Sequence, residues 1–352
     1  MLKRKEVIER ELTSQVHLDF PPVIFGTSSL GNMYIALEER VKIDIIRECF
    51  RQSKGTVVFD SAGKYGAGLA LESLGNSLRA LHVKPGDVII SNKLGWVRTE
   101  LTTPEPIFEP GVWKDLQYDA VQKISYQGII ECFEQGNELL GGYIPQLVSV
   151  HDPDEYLAQA QSEEESDSFY SDILGAYEAL GELKAKKKIV GIGVGAKDWR
   201  VIERIAKDVR LDWVMFANSM TIMNHPKELL VFMQKLKEDG VYIFNSAVFH
   251  AGFLVGGDYF DYKLLDVNKQ ENKPLFKWRD VFFELCKKFD ITPAEACVQF
   301  SLSAPGVVSL ALNTSNPERV KENIEIIHRK IPIEFWEAMK IKGLIQSDYP
   351  NL

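Results

Sequence analysis

Cysteine is scarce in this chain. Only Cys49, Cys132, Cys286 and Cys297 occur in 352 residues, far apart and without a C-x-x-C pair. That spacing argues against a zinc site or a secreted disulfide framework. It fits thiols that fill a core in a reducing compartment, so a cytoplasmic location is expected. No run approaches the ~18 apolar residues of a membrane-spanning helix. The basic N-terminus MLKRKEVIEREL runs straight into acids with no apolar stretch, so it does not read as a signal peptide. Positive charge is in deficit as well: 41 Lys and Arg stand against 50 Asp and Glu, a net charge of −9. Such a chain has no general attraction for nucleic acid or anionic membrane, and an anionic ligand needs a local basic site.

What is present is alternation. Eight short runs rich in Val and Ile (VIFGTSSLG, TVVFD, DVIISNK, IPQLVSVHD, IVGIGVGA, LDWVMFAN, GVYIFNSA and GVVSLALN) recur along the chain. Most lack period-2 patterning, the mark of parallel strands buried on both faces. Helical stripes separate them over 41–51, 69–81, 171–188, 198–207, 226–239, 277–289, 293–303 and 317–328. Asp198 and Thr292 are suitable N-caps, Pro293 and Pro317 suit first helical positions, and Gly240 reads as a helix stop. Eight strands alternating with helices, without a break in composition, predict one (β/α)8 TIM barrel domain over 1–352. Long loops at its C-terminal face and a C-terminal helix complete it. A doubly wound open sheet is the alternative. It needs G-x-G-x-x-G after the first strand, where GTSSLG stands instead, and the glycine run at 191–195 reads as a strand end.

Two connections are long: 94–119, with three prolines and with Trp96, Phe108 and Trp113, and the acidic stretch 158–168. Long ordered loops at a barrel mouth often act as lids. Trp96 and Trp113 are therefore candidates to touch a substrate, with packing on the barrel rim as the plainer reading. The acidic run 163–165 reads as solvated surface.

Barrel chemistry sits where the strands end. The second run ends at Asp60, the third at Lys93 and the fourth at His151, and Tyr65 follows Asp60 in a glycine-bracketed turn. Singly these are ordinary residues: an Asp capping a helix, a solvated Lys. Together they put an acid, a phenol, an ammonium and an imidazole at one mouth.

The runs FDSAGKYGAG, SNKLG and VHDPD resemble the aldo-keto reductases. The stretch YDAVQKISYQGIIECFEQG resembles their D-threo-aldose 1-dehydrogenase branch, which includes L-fucose, L-galactose and pyridoxal dehydrogenases. The resemblance implies a catalytic tetrad of Asp60, Tyr65, Lys93 and His151 and an NAD or NADP cofactor, used dually or with a modest NAD preference. A small sugar or aldehyde substrate is implied too, with oxidation of an aldose to its lactone favoured. Tyr65 is the proton-transfer group, Lys93 lowers its pKa, Asp60 holds Lys93, and His151 orients the substrate oxygen. The implied cofactor residues are Gly26, Thr27 and Ser28 in GTSSLG, then Asn218 and Ser246. Phe249, Gly252 and Leu254 follow in the 247–257 loop, then Asn313, Thr314, Ser315, Arg319 and Asn323 after the eighth strand. The chain departs from the family pattern at Gly195 and Ala196, where Ser-Asn is usual, and at Ser246, where a stacking Tyr is usual. Asn313 stands where NADP-preferring members often carry Lys. Two other functions compete: a non-catalytic nucleotide-binding barrel serving as sensor or subunit, which the complete tetrad argues against, and a metal-dependent hydrolase using His151, Asp152 and Asp60. The latter lacks further histidines at strand ends, since His17, His82 and His328 fall elsewhere.

Overall fold

The computed structural model describes residues 18–350; the N-terminal run at 1–12 and His17 lie outside the described residues. Eight parallel strands close into a barrel: β1 Val23–Gly26, β2 Val57–Ala62, β3 Val88–Leu94, β4 Leu147–His151, β5 Gly191–Ala196, β6 Trp213–Ala217, β7 Tyr242–Ser246 and β8 Val307–Leu312. Each pairs with its neighbours in sequence, and β8 pairs with β1 to close the ring, with Val23 opposite Leu310. They coincide with the eight apolar runs. Every residue of β2, β4 and β5 is buried, because helices cover the outside and side chains fill the inside. Ile24, Val58, Leu147, Trp213, Met215 and Phe244 form the inner cluster, and Leu18 and Phe20, just before β1, pack against it. The glycine run is part of this packing. A Cβ at Gly193 would run into the Trp213 indole, so 191–195 is a strand that leaves room for a large interior ring.

Helices follow the expected stripes, with shifted ends at several places. Asp198 accepts from the Arg200 N–H at 2.9 Å, and Thr292 and Glu295 form a reciprocal capping box with Pro293 at the first helical position. Gly240 ends its helix at φ +73°. A C-terminal helix, Ile333–Ile341, is present as expected.

Four features differ from the sequence reading. Tyr126–Leu140 is a helix not anticipated; Ser125 caps it, and Ile129, Cys132, Phe133 and Leu140 are its buried stripe. The 158–168 stretch is helical from Glu163, capped by Ser162. Its three glutamates are exposed, and they occupy the first turn, where the helix dipole favours negative charge. Pro317 lies in a turn and the helix starts at Arg319. Thr314 Oγ1 and Asn316 Oδ1 accept from backbone N–H groups two residues on, which holds that segment out of helical geometry. Finally, 94–119 is no plain loop. Trp96–Glu100 and Tyr118–Gln122 pair as an antiparallel hairpin, and the intervening chain folds over a small core of Ala67, Phe108, Trp113, Leu116 and Ala120. We refer to 96–122 as the flap.

All four cysteines are free and buried. Among the described residues no helix is long and apolar enough to cross a membrane.

Candidate active site

Register brings the expected groups together. Gly26 of β1 lies opposite Asp60 of β2, and Ala62 opposite Lys93 of β3. The Lys93 ammonium pairs with Asp60 Oδ2 and also donates to the Ser61 carbonyl at 3.3 Å. Ser91 donates to the other Asp60 oxygen at 3.2 Å. Both members of the ion pair are buried, so each depends on the other. Gly195 takes part by its lack of a side chain: a Cβ there would stand 3.0 Å from Lys93 Cδ.

Tyr65 is returned to this pair by the AGKYGAG turn. Gly66 has φ +61°, and a Cβ on it would strike the backbone of Gly31, so only glycine allows the turn to close against the loop after β1. The Tyr65 ring then sits with its centroid 4.8 Å from Lys93 Nζ and 5.6 Å from the His151 ring, edge to face. Burial pushes the Tyr65 phenol well above its ordinary pKa; Asp60 and Asp152 push the same way, and Lys64 opposes them. This corrects the expectation that Lys93 lowers the phenol. Lys93 lies against the ring and is engaged by Asp60, so burial and the nearby carboxylates prevail. Burial also depresses His151 to about 3, with Asp152 opposing and Lys93, Lys64 and Lys197 assisting, which leaves a neutral imidazole. Its Nδ1 is buried without a partner and its Nε2 lies 3.6 Å from Asp152 Oδ2.

Asp60, Tyr65, Lys93 and His151 line one cavity of about 660 Å³, well within the range of ligand and cofactor clefts. Of the expected cofactor residues, Gly26, Ser28, Ser246, Phe249, Gly252, Asn313, Thr314, Ser315, Arg319 and Asn323 line it too. Thr27, Asn218 and Leu254 do not. Thr27 turns inward, its N–H and Oγ1 both donating to the Asp60 carbonyl. Leu254 is wholly buried in the main core. Asn218 is buried behind Ala217 in a left-handed conformation, its Oδ1 without a partner. Asn313 lines the cavity, but its amide is in use: Oδ1 accepts from Ser29 at 2.8 Å and Nδ2 donates to Ser28 at 2.9 Å. It is a clasp between the ends of β8 and β1.

Of the two tryptophans, Trp113 lines the cavity and packs 5.9 Å from the Tyr65 ring. Trp96 does not reach it and lies beneath Lys64 and Phe108. The sequence reading overlooked Lys64, Lys197, Tyr34, Glu109 and Tyr262, which wall the same end of the cavity. Lys64 pairs with Asp152 at 3.0 Å and with Glu109 and Glu155 at 2.8 Å each; Lys197 pairs with Glu155 and faces the Tyr262 ring. Burial alone would raise the Asp152 carboxyl, but the Lys64 and Lys197 ammoniums hold it below the ordinary range. At the opposite end, after β8, Arg319 has no carboxylate partner among the described residues. An unpaired guanidinium beside Thr314, Ser315 and Asn323, in a cleft that continues to the tetrad, fits an elongated anionic nucleotide.

Comparison with known proteins agrees with this fold. The model of the aldo/keto reductase family matches residues 22–343. Pyridoxal 4-dehydrogenase of Microbacterium luteolum is 27% identical over 96% of this chain and 98% of its own length. D-threo-aldose 1-dehydrogenase of a Pseudomonas species is 24% identical over 94% and 96%. Among solved structures, the holo form of an aldo-keto reductase from Bacillus halodurans superposes with a TM-score of 0.66 at 18% identity, covering 93% of this chain and 92% of that one. A glycerol dehydrogenase from Gluconobacter oxydans gives 0.66 at 16%, covering 95% of each. A closed eight-stranded barrel that gathers an Asp, a Tyr, a Lys and a His beside a nucleotide-sized cleft, and a family match over nearly its whole length, lead to one conclusion: the chain belongs to the aldo/keto reductase family, the nicotinamide-dependent oxidoreductases of carbonyl compounds and sugars.

Proposed function

We propose that this chain works as one barrel domain, in the cytoplasm, as an NAD(P)-dependent aldose 1-dehydrogenase that oxidises the C1 hydroxyl of a neutral sugar ring to a lactone. The supporting observation is the wall facing Tyr65 and His151. It combines aromatic faces (Trp113, Tyr34, Tyr262) with charged groups already paired to one another, a surface suited to a ring that is apolar on its C–H faces and polar at its edges. The two curated relatives are named for a sugar and a pyridoxal substrate. Bound nicotinamide supplies the hydride acceptor. Thr314, Ser315, Arg319 and Asn323 would hold the adenosine-phosphate end, and Gly26, Ser28, Ser246, Phe249 and Gly252 the remainder. Tyr65 takes the proton of the C1 hydroxyl in oxidation and returns it to the carbonyl oxygen in reduction. Neutral His151 donates a hydrogen bond to that oxygen, and Asp60 holds the Lys93 ammonium against the phenol ring.

The test is a screen of free aldoses and pyridoxal with NAD⁺ and NADP⁺, read at the absorbance of the reduced cofactor. Because Lys64 and Lys197 are already neutralised, neutral sugars are expected to turn over and their uronic acids and phosphates are not. A preference for an anionic sugar would overturn this account of the wall. Dual cofactor use or a modest NAD preference is expected, since Asn313 is occupied by Ser28 and Ser29 and brings no charge. A missing charge-assisted contact weakens phosphate binding roughly ten- to hundredfold. An NADP preference well beyond that range would show that another group holds the phosphate.

The pH profile follows from the two shifts. His151, depressed to about 3, stays neutral through the working range, and Tyr65, raised, stays protonated. Reduction, which uses the protonated phenol, is expected to be flat from about pH 5 to 8; oxidation, which needs its base form, is expected to climb through about pH 9. An inflection of the reductive rate near the ordinary His value would show that His151 titrates in the enzyme.

Trp113→Ala is expected to raise the sugar KM about three- to tenfold, the worth of one aromatic face, and Trp96→Ala to raise it less. The opposite order would place Trp96 at the substrate.

A further inference from the structure

Lys64 is an unusual residue for its position. It immediately precedes Tyr65, its side chain is only 4% exposed, and its ammonium touches three carboxylates from two separate segments, the flap and the stretch after β4. Asp152 follows β4, Glu155 lies in the short helix Pro153–Leu157, and Glu109 belongs to the flap. The charge–charge attraction holds Lys64 protonated against the cost of burial. A buried ion cluster of this kind adds little net stability over an apolar replacement, and its use lies in fixing position.

The position it fixes is traced through Glu109. One oxygen of that carboxylate accepts from Lys64 at 2.8 Å, and the other accepts from Trp113 Nε1 at 2.8 Å. Glu109 holds φ at +45°, a backbone conformation that side-chain-bearing residues rarely adopt and that its surroundings must impose. The root of the flap is anchored independently, by Arg98 to the Ala67 carbonyl at 2.7 Å and to Glu72 at 2.8 Å. Its tip has backbone bonds to the loop after β1, where Tyr34 N–H donates to the Val112 carbonyl at 2.8 Å. The Lys64–Glu109 pair adds a polar tie from that tip to the turn carrying Tyr65 and to the end of β4, beside the packing of Trp113 on Tyr65 and Ala67.

We propose that Lys64 is a positioning residue that pins the flap tip through Glu109, and so sets where Trp113 stands beside Tyr65 and how tightly the substrate is held. The substrate part rests on the function proposed above; the pinning part does not. The test uses the full-length protein with Lys64→Met, Glu109→Gln and Glu109→Ala. Glu109 is partly exposed and its truncation spares the barrel, so these variants decide the matter even where Lys64→Met fails to fold. Amide hydrogen exchange across 108–116 is expected to quicken at least about tenfold in Glu109→Ala, with the barrel strands unchanged. The emission of Trp113, taken as the difference from Trp113→Phe, is expected to shift to the red. Glu109→Gln, which keeps an acceptor for Trp113 and loses the ion pair, is expected to fall between. The sugar KM is expected to rise about three- to tenfold, with a smaller change in kcat. Unaltered exchange and emission in Glu109→Ala overturn the pin, and loosened exchange with an unaltered sugar KM overturns its link to substrate. If wild type oxidises no sugar, the proposed function fails, while exchange and emission still decide the pin.

Discussion

Tyr65→Phe is expected to lower kcat about 10²–10⁴-fold and to leave nucleotide affinity within a few-fold. The change removes one oxygen and keeps the ring. That ring is held by Trp113 on one side and the His151 edge on another, and it belongs to the small core beneath the flap. Its packing survives, so a loss of rate reports on proton transfer rather than on collapse of the site. Nucleotide binding, followed by titration with the oxidised cofactor, is the control, because the residues proposed to hold the adenosine-phosphate end follow β8 and not β2. A variant that kept kcat within threefold would remove Tyr65 from the chemistry.

Asp60→Asn carries the largest expected loss of stability, about 3–5 kcal/mol, because it leaves the Lys93 ammonium buried without its carboxylate. The Asp60 carbonyl, which accepts from Thr27, is retained, so the effect isolates the charge. The double variant Asp60→Asn with Lys93→Met is expected to recover most of the loss, since no buried charge is then unpaired. Chemical denaturation of the two variants and wild type makes the comparison. A single variant as stable as wild type would mean that water or another group reaches Lys93.

The gathering of Asp60, Lys93 and His151 at one mouth was legible in the sequence because of barrel geometry. A strand's last residues face the mouth, so VVFD, SNK and VHD each declare one side chain there. The strands themselves were legible because burial on both faces suppresses alternation. Lys64 was not, since nothing beside it in FDSAGKYGAG hints at carboxylates in the flap and beyond β4. Thr27 and Leu254 were misplaced for a related reason: in an irregular loop neighbouring residues face opposite ways, and no period tells which. The clasp made by Asn313 was not legible, because the two serines that occupy its amide come from the other end of the chain. The Tyr126–Leu140 helix was obscured by Gly128 and Gly136, which dilute its stripe.

That Asn313 clasp spans a sequence separation of 284 residues to Ser29. Closing so long a loop costs roughly 5 kcal/mol of chain entropy, and many cooperating contacts must arrive together to offset it. The seam between β8 and β1 is thus the contact hardest to make early in folding. The tetrad lies wholly before it, within the first four barrel strands. During synthesis Asp60, Tyr65, Lys93 and His151 therefore emerge well before the residues after β8 that complete the cavity they line. On the function proposed above, a nucleotide gripped across the seam would favour the closed barrel over the open chain by mass action.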